Sequence, residues 1–317
     1  MYNESQKLQF ISEKGTKESI RQGFVSLFNA SEKFERQFCN DLCCFSTFEM
    51  QQFCDNLTGM RSNSKKAAIN RISIYLKWCI ESGVSGAEYN ISGVSYDELA
   101  SFRRRMVSNP TQLQILLDKI YRPISDMSAD NMYRAMYWLA FSGVDIDYIK
   151  QMKGDNFDFD NMVVRFGEKE VRLYTESIPA VKSCIELTYF RVFHPLNPAK
   201  YTEQDRIDGD LIFRGTESRP NIDFIFDNAS RKVKKANKNG TIQCRFTYET
   251  IKLSGLFYRL SENERAGIKP DFYWVAERVS EGKEFKITKD HNLRSKMTRI
   301  ATSYKKDYLN WKEAFGI

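Results

Sequence analysis

The stretch MYWLAFSGVDIDYIKQMKGDNFDFD, residues 136–160, changes character twice along its length. The overlapping run NMYRAMYWLAFSG reads as a helix, and Gly143 is placed to stop it, because helices commonly end on a left-handed residue that glycine adopts without a Cβ penalty. A short helical segment follows. NFDFDNMVVRF and GEKEVRLYTES then read as two β-rich runs separated by Gly167, which predicts a hairpin. A helix, a glycine stop and a hairpin in succession make this part of the chain mixed, mostly helical with a small sheet.

Further along, DLIFRG and GTIQCRF are predicted as short strands. TYETIKLSGLFYRLSENERAG, DFYWVAERVSEG and the C-terminal segment return to helix, and TQLQILLDKIY supplies another helix upstream. The first hundred residues read as helical throughout. In SNSKKAAINRISIYLKWCIESG, residues 62–83, the positions Ile69, Ile72, Leu76 and Ile80 recur at three- and four-residue spacing and predict a core face, with Ser64 as N-cap and Gly83 as stop. GFVSLFNASEKFERQFCNDLC and STFEMQQFCDNL give two more amphipathic helices, the second capped by Ser46 or Thr47. From about 84 to 112 the chain loosens into Gly, Ser and Asn around one charged helical stretch, YDELASFRRRMV, up to SNP at 108–110. The expectation is a helical domain over 1–107 and a mixed domain over 108–317. The fold class is mainly α with a small β-sheet, α+β.

A chain of 317 residues, 42% apolar, is long enough for a core in each part. No apolar run approaches membrane-spanning length and MYNESQKLQF is too polar for a signal peptide, so cytoplasmic residence is expected. Seven cysteines are present, and Cys39, Cys43, Cys44, Cys54 and Cys79 fall in helical segments without the paired spacing of a zinc site; they are read as reduced core residues. The net charge is +7 with a pI near 8.9, which fits a polyanion-binding protein without requiring one. RKVKKANK, residues 231–238, forms a dense basic cluster ahead of a predicted strand; such a run is a solvated surface or a phosphate-binding one. The same two readings hold for Lys65, Lys66, Arg71 and Lys77. In ITKDHNLRSKMTRI, residues 287–300, one of only two histidines stands three positions before an arginine, so that His291 and Arg294 share one side of a helical turn and can face one anion, with Lys296 beside them.

Three stretches in this order resemble the tyrosine recombinase or phage integrase family. SNSKKAAINRISIYLKWCIESG is similar to the last long helix of the family's N-terminal core-binding (SAM-like) domain, with Asn70 and Arg71 at its "NR" step and Trp78 at its aromatic position. Residues 136–160 resemble the family's helix and turn "LLLTGLRISELLALRWEDIDF", and HNLR, residues 291–294, matches the family's H-x-L-R box. The resemblance covers most of the chain and implies a core-binding domain followed by a catalytic-like domain.

The family transfers a DNA phosphodiester to a tyrosine hydroxyl, and its arginines, hairpin lysine and histidines neutralise charge developing on the phosphate. Here the "GLR" turn reads Gly143, Val144, Asp145, a carboxylate where a phosphate ligand belongs. Losing one such donor costs about 10²–10³-fold in rate, and reversing its sign costs more. Lys169 and Arg172 are equal candidates for the hairpin lysine. His291 and Arg294 keep the box, while Ile317 falls where a further histidine is expected, which leaves no room for the family's tyrosine. No catalytic residue is therefore assigned.

The resemblance implies a sequence-specific double-stranded DNA-binding transcriptional regulator without recombinase activity, most similar to the recombinase-fold master repressors of temperate Bacillus phages. Its expected DNA contacts are Lys65, Lys66, Arg71, Lys77, Lys169, Arg172, Arg231, Lys232, Lys234, Lys235, His291, Arg294 and Lys296. No cofactor or metal is expected. A homodimer and a phage-encoded antagonist are compatible further partners. The alternative is a divergent active recombinase using Tyr304, Tyr308 or a tyrosine supplied by another subunit. A third reading makes Phe257, Tyr258, Phe272, Tyr273 and Trp274 a protein-binding surface, although aromatics at such spacing are more often core.

Overall fold

The computed structural model describes residues 1–57, 62–95, 99–194, 197–217, 222–280 and 293–317, with the side chains of all of these except 62–65, 198 and 293. The chain divides into two compact units, Met1–Ser101 and Phe102–Ile317. The division falls ahead of 107/108 because residues 102–107 are tied to the second unit: Phe102, Met106 and Val107 are buried, the Val107 N–H donates to Ser254 Oγ, and Arg104 O accepts from the Arg245 N–H.

The first unit is built on four helices, α1 (Glu4–Lys14), α2 (Glu18–Phe38), α3 (Thr47–Asn56) and α4 (Ser62–Glu81), with 3-10 turns at Leu42–Cys44 and Asn90–Gly93. Ser46, not Thr47, caps α3, and it does so reciprocally with Glu49 in a capping box. α4 already starts at Ser62, so Ser64 lies inside it rather than at its cap. Its buried face is Ala68, Ile72, Tyr75, Leu76 and Cys79, whereas Ile80, expected in the core, is exposed. Gly83 ends the helix at φ +70°, with the Val84 N–H reaching back to Cys79 O. Phe10, Phe24, Phe28, Tyr75 and Trp78 interlock edge to face at the centre. Beside them lies a fully buried ion pair, Lys7 with Glu35, whose carboxylate also accepts from Ser31 Oγ and the Leu42 N–H. The cysteines are all reduced; Cys43, Cys54 and Cys79 are buried as expected, but Cys39 is exposed, being the left-handed cap of α2.

In the second unit α5 (Ala100–Arg103) enters from the first, and α6 (Pro110–Ile120) starts at Asn109, whose Oδ1 caps the Gln112 N–H. α7 (Asp130–Phe141) is buried on every side. A helix buried all round carries the core of its domain, and α7 lies against α9 (Ile178–Glu186), α10 (Asp223–Lys238) and α11 (Tyr248–Arg265). After Gly143, at φ +94°, comes the short α8 (Ile146–Ile149). The hairpin follows as β1 (Phe157–Asp158), β2 (Val163–Phe166) and β3 (Lys169–Arg172) in one antiparallel sheet, with Phe166 opposite Lys169 and Val164 opposite Val171. A second, two-stranded sheet pairs β4 (Tyr189–His194) with β5 (Asn197–Asp205). α12 (Phe272–Ser280) and α13 (Leu293–Phe315) pack on each other.

Two expected strands are absent. In GTIQCRF the alternation Ile242, Cys244, Phe246 is real burial, but among the described residues no neighbouring strand pairs with it beyond the single Arg245 to Arg104 bond. DLIFRG contributes only an isolated bridge from Leu211 to Lys153. The mainly helical α+β class stands. No helix among the described residues is long and apolar enough to cross a membrane.

Candidate nucleic-acid interface

The cluster RKVKKANK does not precede a strand; it forms the last turns of α10. Ile225, Ala229, Val233 and Ala236 recur at helical spacing and are buried, which turns the opposite side outward. Arg231, Lys234, Lys235 and Lys238 then follow at i, i+3, i+4 and i+7, one exposed stripe about 10 Å long. Lys232, between the two faces, is anchored: its ammonium pairs with the buried Asp130 carboxylate and lies 5.6 Å from the Tyr133 ring. A cation held by a buried carboxylate is a structural element of the fold first. Lys238 belongs to the basic cluster read in the sequence but was not among its expected DNA contacts, although its i+7 offset from Arg231 marks it.

In the first unit, Lys66 and Lys77 are eleven positions apart on α4, both exposed, and share one stripe with the exposed Asn70 and the partly buried Ser73. Lys77 lies 5.5 Å from the Tyr89 ring, which is fixed by a 2.6 Å bond between Tyr89 OH and Ser73 Oγ. Arg71 is not on this stripe. Its guanidinium crosses α2 at Gly23, where an added Cβ would come within 2.7 Å of Nε. The Lys65 side chain lies outside the described ones.

The hairpin separates its two candidates. Lys169 and Val171 point to one face of β3, and Lys169 Nζ lies 5.3 Å from the ring of Tyr148 in α8. Arg172 is exposed on the other face, with Glu170 and the charge ladder Asp158, Arg165, Glu170. Hydrogen bonds from Asn161 and Arg165 hold the Asp158 carboxyl at a pKa of about 2.

At the turn after α7, Asp145 has two structural tasks. Oδ1 caps the Asp147 N–H, and Oδ2 takes a 2.8 Å ion pair from Lys252 of α11. Lys252 is 1% exposed, so this carboxylate compensates a charge buried in the domain. Tyr248, one turn earlier, donates to Val144 O, and Arg259, two turns later, donates to Ser142 O and Arg172 O. The turn is thus fastened to α11 at three points. Neither Lys252 nor Arg259 was singled out in the sequence, although a lysine within the buried stripe Ile251, Gly255, Leu256 is itself a signal of a paired charge.

Arg294 and Lys296 lie in the first turn of α13, Arg294 exposed and Lys296 partly buried; His291 lies outside the described residues. Tyr304 and Tyr308 are buried in the same helix. Tyr308 OH donates to Glu264 Oε2 at 2.7 Å, and burial together with that carboxylate pushes its ionisation up. Of the aromatic set, Phe257 is core and Tyr273 is exposed. Among the described residues no cluster of His, Cys, Asp and Glu could hold a metal ion.

Residues 1–81 match the family described as "MrpR, N-terminal core-binding domain". No curated protein matches the chain. Among solved structures it is similar to the XerA recombinase, at 14% identity over 96% of this chain and 94% of that one with a TM-score of 0.40. It is also similar to the Tn1549 transposon integrase (residues 82–397) in complex with circular intermediate DNA, at 13% identity over 92% and 98% with a TM-score of 0.37. The integrase from mycobacterium phage Brujita gives 11% identity over 99% and 92% with a TM-score of 0.33.

Proposed function

We propose that this chain is a sequence-specific double-stranded DNA-binding regulator on a tyrosine recombinase-like scaffold, a phage repressor that maintains lysogeny and does not cut DNA. The observation that carries the non-cleaving half of this reading is Asp145. Where the resemblance places a phosphate-binding arginine, this chain has a carboxylate committed to buried Lys252 and to the start of α8. A phosphate brought there meets negative charge, and the lysine that balances it faces inward. The buried positions of Tyr304 and Tyr308 support the same reading, since a nucleophile must reach the phosphorus.

The binding half rests on the core-binding match over residues 1–81 and on the exposed stripe Arg231, Lys234, Lys235, Lys238. Binding needs only donors and positive charge. Phosphate contacts set position and register, and groove-facing side chains then read sequence. Lys66 and Lys77 are the first unit's contribution, with Lys169 and Arg294 as further contacts of the second. Lys232 and Arg71 serve the fold before they serve DNA.

A gel shift with fragments of the source genome at low and near-physiological salt tests this, with the same reactions run on a denaturing gel. Selective shifts that survive near-physiological salt without covalent adducts are expected. Shifts no tighter than on random duplex would overturn the regulator.

A further inference from the structure

The second unit contains a cleft that the DNA-binding reading does not use. Its volume is 620 Å³, within the range of small-ligand sites, and it is lined by the end of β3, the turn Leu173–Glu176 and the C-terminal half of α11. Two tyrosine rings, Tyr174 and Tyr258, stand in it with centroids 5.9 Å apart. Arg259 lies 5.8 Å from the Tyr174 ring and is fixed in place by its bonds to Ser142 O and Arg172 O. The Tyr174 hydroxyl is buried beside the Arg259 guanidinium.

The charges are the unusual feature. Arg172, Glu176 and Glu262 all line the cleft and are exposed, yet among the described residues none forms an ion pair. Opposite charges that share one cleft without pairing leave both donors and acceptors available to a ligand carrying both kinds of group. Arginine suits a phosphate, which it grips in a planar fork. Aromatic faces suit a nucleobase, because every base has a π-face to stack. A carboxylate accepts two adjacent N–H donors at once, and guanine, with N1–H beside its 2-amino group, offers that pair.

We infer that this cleft binds a guanine nucleotide, its phosphate on Arg172 and Arg259, its base against the tyrosine rings and its N–H edge on Glu262. This assigns Arg172 to the cleft rather than to duplex DNA.

Titration calorimetry of the full chain with GMP, AMP and ribose 5-phosphate tests the inference. Saturable GMP binding is expected, with a Kd on the order of 10 µM for a ligand of this size. AMP and ribose 5-phosphate should bind at least about tenfold more weakly. Arg172→Ala and Glu262→Gln, both at exposed positions, should each weaken GMP by about tenfold or more without lowering the melting temperature. No saturable binding of GMP, equal binding of all three ligands, or GMP binding unmoved by both substitutions would each overturn it. None of these readouts involves DNA, so the result stands apart from the regulator reading.

Discussion

At the scale of single residues, the turn after α7 shows how a buried charge is compensated. Asp145 is tolerable beside an apolar helix because Lys252 meets it, and each is costly without the other. Asp145→Ala should therefore destabilise the second unit by about 3–5 kcal/mol in urea unfolding. Asp145→Leu combined with Lys252→Met should recover most of that loss; a double variant as unstable as the single would mean that the pair is not the cause. Gly255 makes a second residue-level demand. α11 passes so close to α7 that a Cβ there would sit 1.7 Å from Phe141 O, and no side-chain rotation relieves a clash with backbone. Gly255→Ala should lower the melting temperature by about 5 °C or more, and an unchanged value would contradict this helix contact.

At the scale of elements, the sequence was legible wherever hydrophobic period and burial coincide. α4, α7 and α11 were readable from apolar spacing, and the hairpin from two β-rich runs about Gly167. The period failed where burial is one-sided but unpaired. GTIQCRF alternates perfectly well for a strand, yet no strand among the described residues pairs with it to complete a ladder. Conversely, β4 and β5 were not legible because prolines at 195 and 198 argue against a strand pair, and the described side chains of β5 are all exposed, with no alternation. The basic run at 231–238 is visible as charge, but the apolar spacing that makes it helical starts upstream of it, at Ile225 and Ala229. The hairpin also carries a pH prediction. With its pKa depressed to about 2, the Asp158 carboxylate adds stability that is fully present above the ordinary aspartate range and is lost as pH falls through 2. Carbon-detected NMR titration should find Asp158 ionised at pH 3; a midpoint near 4 would mean that Asn161 and Arg165 do not hold it.

At the scale of the whole molecule, a net charge of +7 is modest, so affinity for a polyanion depends on where the cations lie. The stripe on α10 concentrates four of them on one face, while Lys232 and Arg71, equally basic in the sequence, face other work. Lys234→Ala and Lys235→Ala should each reduce the slope of log affinity against log salt by about 1, with similar weakening on all duplexes. Lys232→Ala should instead act on stability, and a salt slope lowered as much as for Lys234 would reverse that assignment. One experiment distinguishes a DNA binder from a DNA-cutting enzyme most sharply. The full chain is incubated with a nicked suicide duplex bearing the sequence it selects, and the products are separated on native and denaturing gels. The account predicts a saturable, reversible complex and no protein–DNA covalent adduct; an adduct that disappears in Tyr304→Phe or Tyr308→Phe would contradict it and make the chain an active recombinase.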